Sequence, residues 1–157
     1  MPNAPVDLER RSRTREQAPT SVPQPLEREA DLVVVDTTWG KLQPLHCAPG
    51  VLTVGELELI KRLRDGALLV DTRLHDSRGG VTIPGAVNIP HDQIEHRRGE
   101  LDPSRLNVLF CNGPQCPQSP DAIRRLLEHG FPASSLAYYR GGIHDWITLA
   151  MSTTSIV

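Results

Sequence analysis

The sequence predicts an α/β fold in which a doubly wound parallel sheet carries helices on both faces. Short apolar runs rich in β-branched residues alternate along the chain with amphipathic stretches of helical spacing. Strands that alternate with helices in this way form parallel sheets, because each helix carries the chain back across the sheet. The length of 157 residues favours one such domain.

Four segments of the predicted domain have the composition of strands. The run 67–70 is wholly apolar and predicts a buried parallel strand. Residues 83–90 predict a turn that leads into a short strand, which Pro90 ends. The run 107–110 leads directly into Cys111. The predicted strands are 67–70, the end of 83–90, 107–110 and 136–139.

Three helices are predicted from their end signals. Thr53 is the expected N-cap of the first helix, and Gly66 ends it. Ser119 is the expected N-cap of the second helix, with Pro120 at its first position and Gly130 beyond its end. The predicted helices are 54–64, 120–129 and 143–149.

The N-terminal part differs in composition from the rest. Residues 1–30 are rich in proline and charge and have no apolar period, so we predict a disordered arm. Residues 31–50 are expected to be an extension with a short strand at 32–35, which covers the domain's own edge or pairs with a second copy. The predicted domain is 51–150, and 151–157 is a tail; the expected state is a monomer or a homodimer.

Composition limits the functions that need considering. A formal net charge of −2 gives no attraction for nucleic acid, and no apolar run approaches the roughly 18 residues of a membrane span. The first 15 residues lack the apolar core of a secretion signal, so a cytoplasmic location is expected. The three cysteines, Cys47, Cys111 and Cys116, do not have the spacing of a zinc site, and no metal is expected.

Cys111 is the candidate nucleophile. It stands at the carboxyl end of a predicted strand and opens a loop that leads into a helix, which is where ligands bind in open α/β sheets. Inward-facing amides and the helix dipole are expected to lower the pKa of its thiol and to stabilise a persulfide. The predicted anion cradle comprises Asn112, Gly113, Pro114, Gln115, Cys116, Pro117, Gln118 and Ser119.

Several segments together resemble the rhodanese-like sulfurtransferase domain. They occur in the family's order and cover roughly residues 50–149. The segments are Leu69-Val70-Asp71-Thr72-Arg73, Thr82-Ile83-Pro84-Gly85-Ala86-Val87-Asn88-Ile89-Pro90, Val108-Leu109-Phe110-Cys111, Gly130-Phe131 and Tyr139-Arg140-Gly141-Gly142-Ile143-His144-Asp145-Trp146. The resemblance implies a rhodanese-like doubly wound domain without a cofactor. It also implies that a Cys111 persulfide moves sulfane sulfur from a small donor, thiosulfate or a persulfide, to a thiol or protein acceptor.

The loop departs from the family pattern. It is about two residues longer than the family's loop and contains no arginine, which argues against a phosphatase or arsenate reductase and predicts weak binding of thiosulfate. Arg140 is a candidate replacement for the missing charge, or a merely solvated residue. Asp71 and Arg73 are candidate substrate-binding residues, with a structural ion pair as the alternative. Tyr138 and Trp146 are expected in the core and Tyr139 at the mouth of the site.

A second thiol in the same loop leaves two further functions open. Cys116 is a candidate resolving residue that attacks a persulfide on Cys111 and leaves a disulfide, or else a packing residue. The first alternative function is therefore a Cys111/Cys116 thiol-disulfide redox enzyme. The second, which the absence of an arginine in the loop keeps open, is a catalytically silent rhodanese-like interaction or regulatory module.

Overall fold

The computed structural model describes residues 22–26, 29–34 and 40–156. Its N-terminal strands, β1 (Gln24–Leu26) and β2 (Glu29–Val34), form an antiparallel pair. β2 confirms a strand in the predicted extension. The predicted disordered arm, residues 1–30, lies mostly outside the described residues; β1 and the start of β2 are its described part.

The central sheet has five strands, all parallel to their neighbours. Its order is β3-β8-β7-β4-β6, so β7, which precedes Cys111, is the middle strand. Every residue of β7 is buried, as expected for a parallel strand covered on both faces. The strands are β3 (Leu52–Val54), β4 (Leu68–Asp71), β6 (Val87–Asn88), β7 (Asn107–Phe110) and β8 (Leu136–Tyr139).

Helices cover both faces of this sheet, which confirms the predicted doubly wound arrangement. The helices are α1 (Glu56–Arg64), α2 (Gln118–Glu128) and α3 (Gly142–Thr148). α2 packs on one face through Ala122, Ile123 and Leu126. α1 and α3 cover the other face through Leu59, Ile143 and Trp146. No helix in the described ranges is long and apolar enough to span a membrane.

Two predicted helix starts are wrong. Thr53 lies within β3, and α1 begins after Gly55 instead. Ser119 is already inside α2, whose N-cap position is Pro117, and its hydroxyl lies 2.8 Å from Oγ1 of Thr72. In both cases the hydroxyl that suits a cap contacts another segment, Leu45 for Thr53 and Thr72 for Ser119. Short 3₁₀ turns lie at His75–Ser77, Arg98–Glu100 and Ala133–Ser135.

The C-terminal segment is also paired. β9 (Thr154–Ser155) runs antiparallel to β5 (Val81–Thr82), and the amide of Ile156 donates to the carbonyl oxygen of Gly80 at 2.9 Å. The predicted tail therefore closes over the loop that follows β4.

Candidate active site

Cys111 follows β7 at the carboxyl edge of the sheet. Leu109 is paired with Tyr138 and packs on the α2 face, so Cys111, two residues further along, points to that same face. Its side chain is only 1% exposed. The amide of Ser119 donates to its sulfur at 3.4 Å, and its thiol lies 3.4 Å from the carbonyl oxygen of Cys116. The start of α2 thus points an N–H group at the sulfur, as predicted.

The remaining amides of the loop are distributed differently from the prediction. Those of Asn112 and Gln118 donate to the sulfur of Cys116. The amide of Cys116 donates to the carbonyl oxygen of Gly113 at 3.0 Å, which makes it part of a turn. Pro114 and Pro117 have no N–H to offer. The cradle therefore holds two sulfur atoms instead of one.

The pKa of the Cys111 thiol is shifted in the direction opposite to the prediction. Burial, followed by the contact with Cys116, raises the pKa of the Cys111 thiol, so the predicted lowering is wrong. The hydrogen bond from Cys111 lowers the pKa of Cys116, and the amides of Gln118 and Asn112 act in the same direction. Of the two thiols, Cys116 is therefore the one that ionises more readily.

Asp71 and Arg73 form a fully buried ion pair. The guanidinium binds both carboxylate oxygens, Nε to Oδ1 at 2.9 Å and Nη2 to Oδ2 at 2.8 Å. Arg73 also donates from Nη1 to Oδ1 of Asn112 at 3.0 Å, and so anchors the residue that follows Cys111. Both side chains are 0% exposed, which matches the structural ion pair and leaves no open face for a substrate.

The start of α3 supports the loop from the other side. The amides of Ile143 and His144 donate to the carbonyl oxygens of Cys111 and Asn112, at 3.0 and 2.8 Å. Gly142 has a φ of 60°, and a Cβ there would lie 2.4 Å from the carbonyl oxygen of Cys111. Only glycine allows the two backbones to approach this closely.

Residues 40–44, which we call the strap, cross the cysteine loop from outside. The amide of Gln43 donates to the carbonyl oxygen of Pro114 at 2.8 Å. Gly40 packs so closely that a Cβ there would lie 2.4 Å from the carbonyl oxygen of Gln115. Arg140 donates from Nε and Nη2 to the carbonyl oxygen of Gln43, so its guanidinium holds the strap and does not point into the cradle. Sequence reasoning missed the strap, since nothing local to residues 40–44 indicates a partner 70 residues away in the chain.

Two aromatic side chains of β8 lie on opposite faces of the sheet. Tyr138 is in the core beside the cysteines, as predicted, and its buried hydroxyl has no hydrogen-bond partner in the described part of the chain. Burial raises its pKa. Tyr139 is fully buried on the other face, where its hydroxyl binds Glu56 at 2.9 Å and its ring packs edge-on against Trp146. Tyr139 therefore does not line the mouth, and Trp146 is in the core as predicted.

Cys47 lies apart from this pair. It is a free thiol, and it lines a groove of 510 Å³ between the strap and the start of α2, together with Pro44, Pro117 and Pro120. Burial raises its pKa, as expected for an inert cysteine. Within residues 22–26, 29–34 and 40–156, no group of three or more His, Cys, Asp or Glu side chains is placed to hold a metal ion.

Comparison with known proteins identifies a family for most of the domain. The rhodanese-like domain family matches residues 56–149. An HTH-type transcriptional regulator of Mycobacterium tuberculosis, Rv0324, is 41% identical over 68 residues, which are 43% of this chain and 30% of the regulator. This chain thus spans less than a third of that relative.

Solved structures show the same fold. The rhodanese-like domain of the Anabaena protein Alr3790 is 23% identical, with a TM-score of 0.56 over 66% of this chain and 79% of that one. The thiosulfate sulfurtransferase of Pseudomonas aeruginosa is also 23% identical, with a TM-score of 0.52 over 67% of this chain and 20% of that one.

Proposed function

This chain belongs to the rhodanese-like domain family, and from that premise we propose that it is a sulfurtransferase in which Cys111 carries sulfane sulfur as a persulfide. The observation that carries the proposal is the amide of Ser119, at the start of α2, which donates to the sulfur of Cys111. A backbone donor and a helix N-terminus at this position stabilise an anionic sulfur. The donor is a small sulfane-sulfur compound and the acceptor is a thiol, free or on a protein.

The reaction has two halves. In the first, the Cys111 thiolate attacks the outer sulfur of the donor, an S–S bond forms on Cys111, and the rest of the donor leaves with the electron pair of the broken bond: sulfite from thiosulfate, or a thiolate from a persulfide. In the second, an acceptor thiolate takes the outer sulfur and restores the Cys111 thiolate. No electrons are gained or lost overall, so no redox cofactor is required.

The burial of Cys111 limits the first half of the reaction, in which sulfur is loaded from the donor. Because burial raises the pKa of Cys111 and leaves it 1% exposed, the thiol is neither ionised nor reachable while the strap is in place. Displacement of the strap would restore contact with water, which favours the thiolate, and would admit the donor. Sulfur loading and strap opening are therefore coupled in this proposal.

The charge around the loop favours a monoanionic persulfide over thiosulfate as donor. The loop contains no arginine, Arg73 is committed to Asp71, and Arg140 is committed to Gln43. A dianion would enter without a free guanidinium to pair with.

Intact-protein mass spectrometry tests the function. After incubation with glutathione persulfide, Cys116→Ser, in which the second loop thiol is absent, is expected to retain sulfur on Cys111, and Cys111→Ala is expected to take none. Thiosulfate at the same concentration is expected to load Cys111 more slowly. Full sulfur transfer by Cys111→Ala would contradict the proposal.

A second candidate function is a sulfur-responsive regulatory module. The near-complete burial of Cys111 favours it, and the relative in Mycobacterium tuberculosis is a transcriptional regulator. Repeated turnover separates the two candidates. A sulfurtransferase converts many equivalents of cyanide to thiocyanate per chain, whereas a module stops after one equivalent or fewer.

A further inference from the structure

The loop between β7 and α2 contains two thiols where one sulfur carrier would suffice. The sulfur of Cys111 lies 3.4 Å from the carbonyl oxygen of Cys116, and the two thiols are close enough to shift each other's pKa in opposite directions. Both are nearly inaccessible, at 1% and 3% exposure. A turn from the amide of Cys116 to the carbonyl oxygen of Gly113 holds the second thiol in this position. The molecule thus pairs the carrier with an internal nucleophile from its own loop.

We propose that Cys116 resolves the Cys111 persulfide, releasing hydrosulfide and leaving a Cys111–Cys116 disulfide. The proposal rests on the function proposed above, because it starts from the persulfide. It deepens that function by making the chain a persulfide reductase whose second substrate is an external thiol reductant.

The step balances in atoms and electrons. The thiolate of Cys116 attacks the inner sulfur, Sγ of Cys111, and forms a new S–S bond. The bond between the inner and outer sulfurs breaks, and the outer sulfur leaves as hydrosulfide with its electron pair. The sulfane sulfur is reduced and the two cysteines are oxidised. Two equivalents of an external thiol, which become a disulfide, then restore both cysteines by thiol–disulfide exchange.

The arrangement of donors assigns the nucleophile to Cys116. The Cys111 thiol and the amides of Gln118 and Asn112 lower the pKa of Cys116, so the thiolate that attack requires forms more readily there than on Cys111. The sulfur of Cys111, in contrast, receives the outer sulfur of the donor. Hydrosulfide, with the low pKa of a good leaving group, departs in preference to a cysteine thiolate.

Burial favours the internal reaction over external ones. A thiol held in contact reacts as though it were present at a very high concentration, whereas an outside acceptor must first pass the strap. The hydroxyl of Tyr138, buried on the same face as Cys111 and without a partner among the described residues, supplies a donor for the extra sulfur atom before it leaves.

A single-turnover experiment on the full chain tests the inference. Wild type, Cys116→Ser, Cys116→Ala and the control Cys47→Ala are each mixed with one equivalent of glutathione persulfide. Hydrosulfide is measured, and peptide mass spectrometry locates the sulfur and any disulfide. Wild type and Cys47→Ala are expected to release one hydrosulfide per chain and to contain a Cys111–Cys116 disulfide. Both Cys116 variants are expected to keep the extra sulfur on Cys111 and to release at least tenfold less.

The outcomes separate the two proposals. A wild-type persulfide as long-lived as that of Cys116→Ser, or a disulfide that involves Cys47, would overturn the resolving role while sulfur loading stands. Absence of sulfur on Cys111 in every variant, the Cys116 variants included, would overturn the sulfurtransferase function itself. The thiol oxidant diamide tests disulfide formation without a sulfur donor. Failure of the folded wild-type chain to form the Cys111–Cys116 disulfide with diamide would also overturn the inference.

Discussion

The guanidinium of Arg140 binds the backbone carbonyl oxygen of Gln43 through two hydrogen bonds, of 3.1 Å from Nε and 2.8 Å from Nη2. Gln43 belongs to the strap, and its amide donates to Pro114 in the cysteine loop. Arg140 therefore joins the turn after β8 to the segment that crosses the loop of the candidate nucleophile.

Arg140→Ala is expected to speed alkylation of Cys111 by iodoacetamide about tenfold. Loss of a hydrogen bond from a charged donor costs roughly 1.5 kcal/mol, and a local opening equilibrium shifts by about that factor. Arg62→Ala, an exposed arginine on α1, is the control. Equal alkylation rates in wild type and Arg140→Ala would show that the strap does not limit access.

Removal of either partner of the Asp71–Arg73 pair is expected to destabilise the fold by about 3–5 kcal/mol, because it leaves an unpaired buried charge. Urea unfolding of Arg73→Ala and Asp71→Ala measures this. Glu100→Ala, which breaks the half-exposed pair with Arg97, is the control and is expected to have a far smaller effect. Similar midpoints for all three variants would contradict the role of the buried pair.

Ser119→Ala is expected to cost about 1 kcal/mol in stability and to raise the pKa of Cys111 further. The substitution removes the hydroxyl that lies 2.8 Å from Thr72 and that favours the Cys111 thiolate, but it leaves the amide in place. Sulfur loading in the open state is expected to slow by several-fold. Loading as fast as wild type at every pH would show that the hydroxyl has no influence on the thiol.

Gly142→Ala is expected to destabilise the loop much more than Gly85→Ala. Both glycines have a positive φ, of 60° and 83°, so an alanine is strained at either position. Only at Gly142 does the new Cβ also collide with backbone, 2.4 Å from the oxygen of Cys111, whereas nothing lies within 4 Å at Gly85. Thermal unfolding compares them, and equal losses would mean that the close approach is not required.

Thiolate titration by ultraviolet absorbance, in a Cys47→Ala background, tests the charge assignment. The hydrogen bond from Cys111 lowers the pKa of Cys116, so a thiolate is expected to appear as the pH rises but below the ordinary pKa of a cysteine. Cys116→Ser is expected to remove this early step. Cys111→Ala is expected to move it to higher pH, because the hydrogen bond is lost. An early step that survives in Cys116→Ser would place the charge on Cys111.

The lowered pKa of Cys116 also determines how the stability of the fold depends on pH. The folded-state pKa of Cys116 lies below its unfolded value, so its ionisation contributes stability that is present above the unfolded pKa. That stability is lost as the pH falls through the folded pKa. The raised pKa of Cys111 acts in the opposite sense, so the measured effect is the difference between the two thiols.

The sequence alone determined the alternation of elements and the place of Cys111. The apolar run 107–110 became the central strand β7, and the glycines Gly66 and Gly130 lie just beyond the ends of α1 and α2 with positive φ. Both features depend on short-range sequence patterns. A continuous apolar run predicts a strand buried on both faces, and glycine tolerates the backbone conformation that ends a helix.

Only the tertiary structure decided which thiol has the lower pKa and what Arg140 does. The pKa of Cys111 depends on how completely the sheet, α2 and the strap exclude water, and that of Cys116 depends on amides whose directions no residue type reveals. Arg140 meets Gln43 across 97 positions of sequence. Electrostatics in a closed site depend on distances between segments that are remote in the chain, and the folded packing sets those distances.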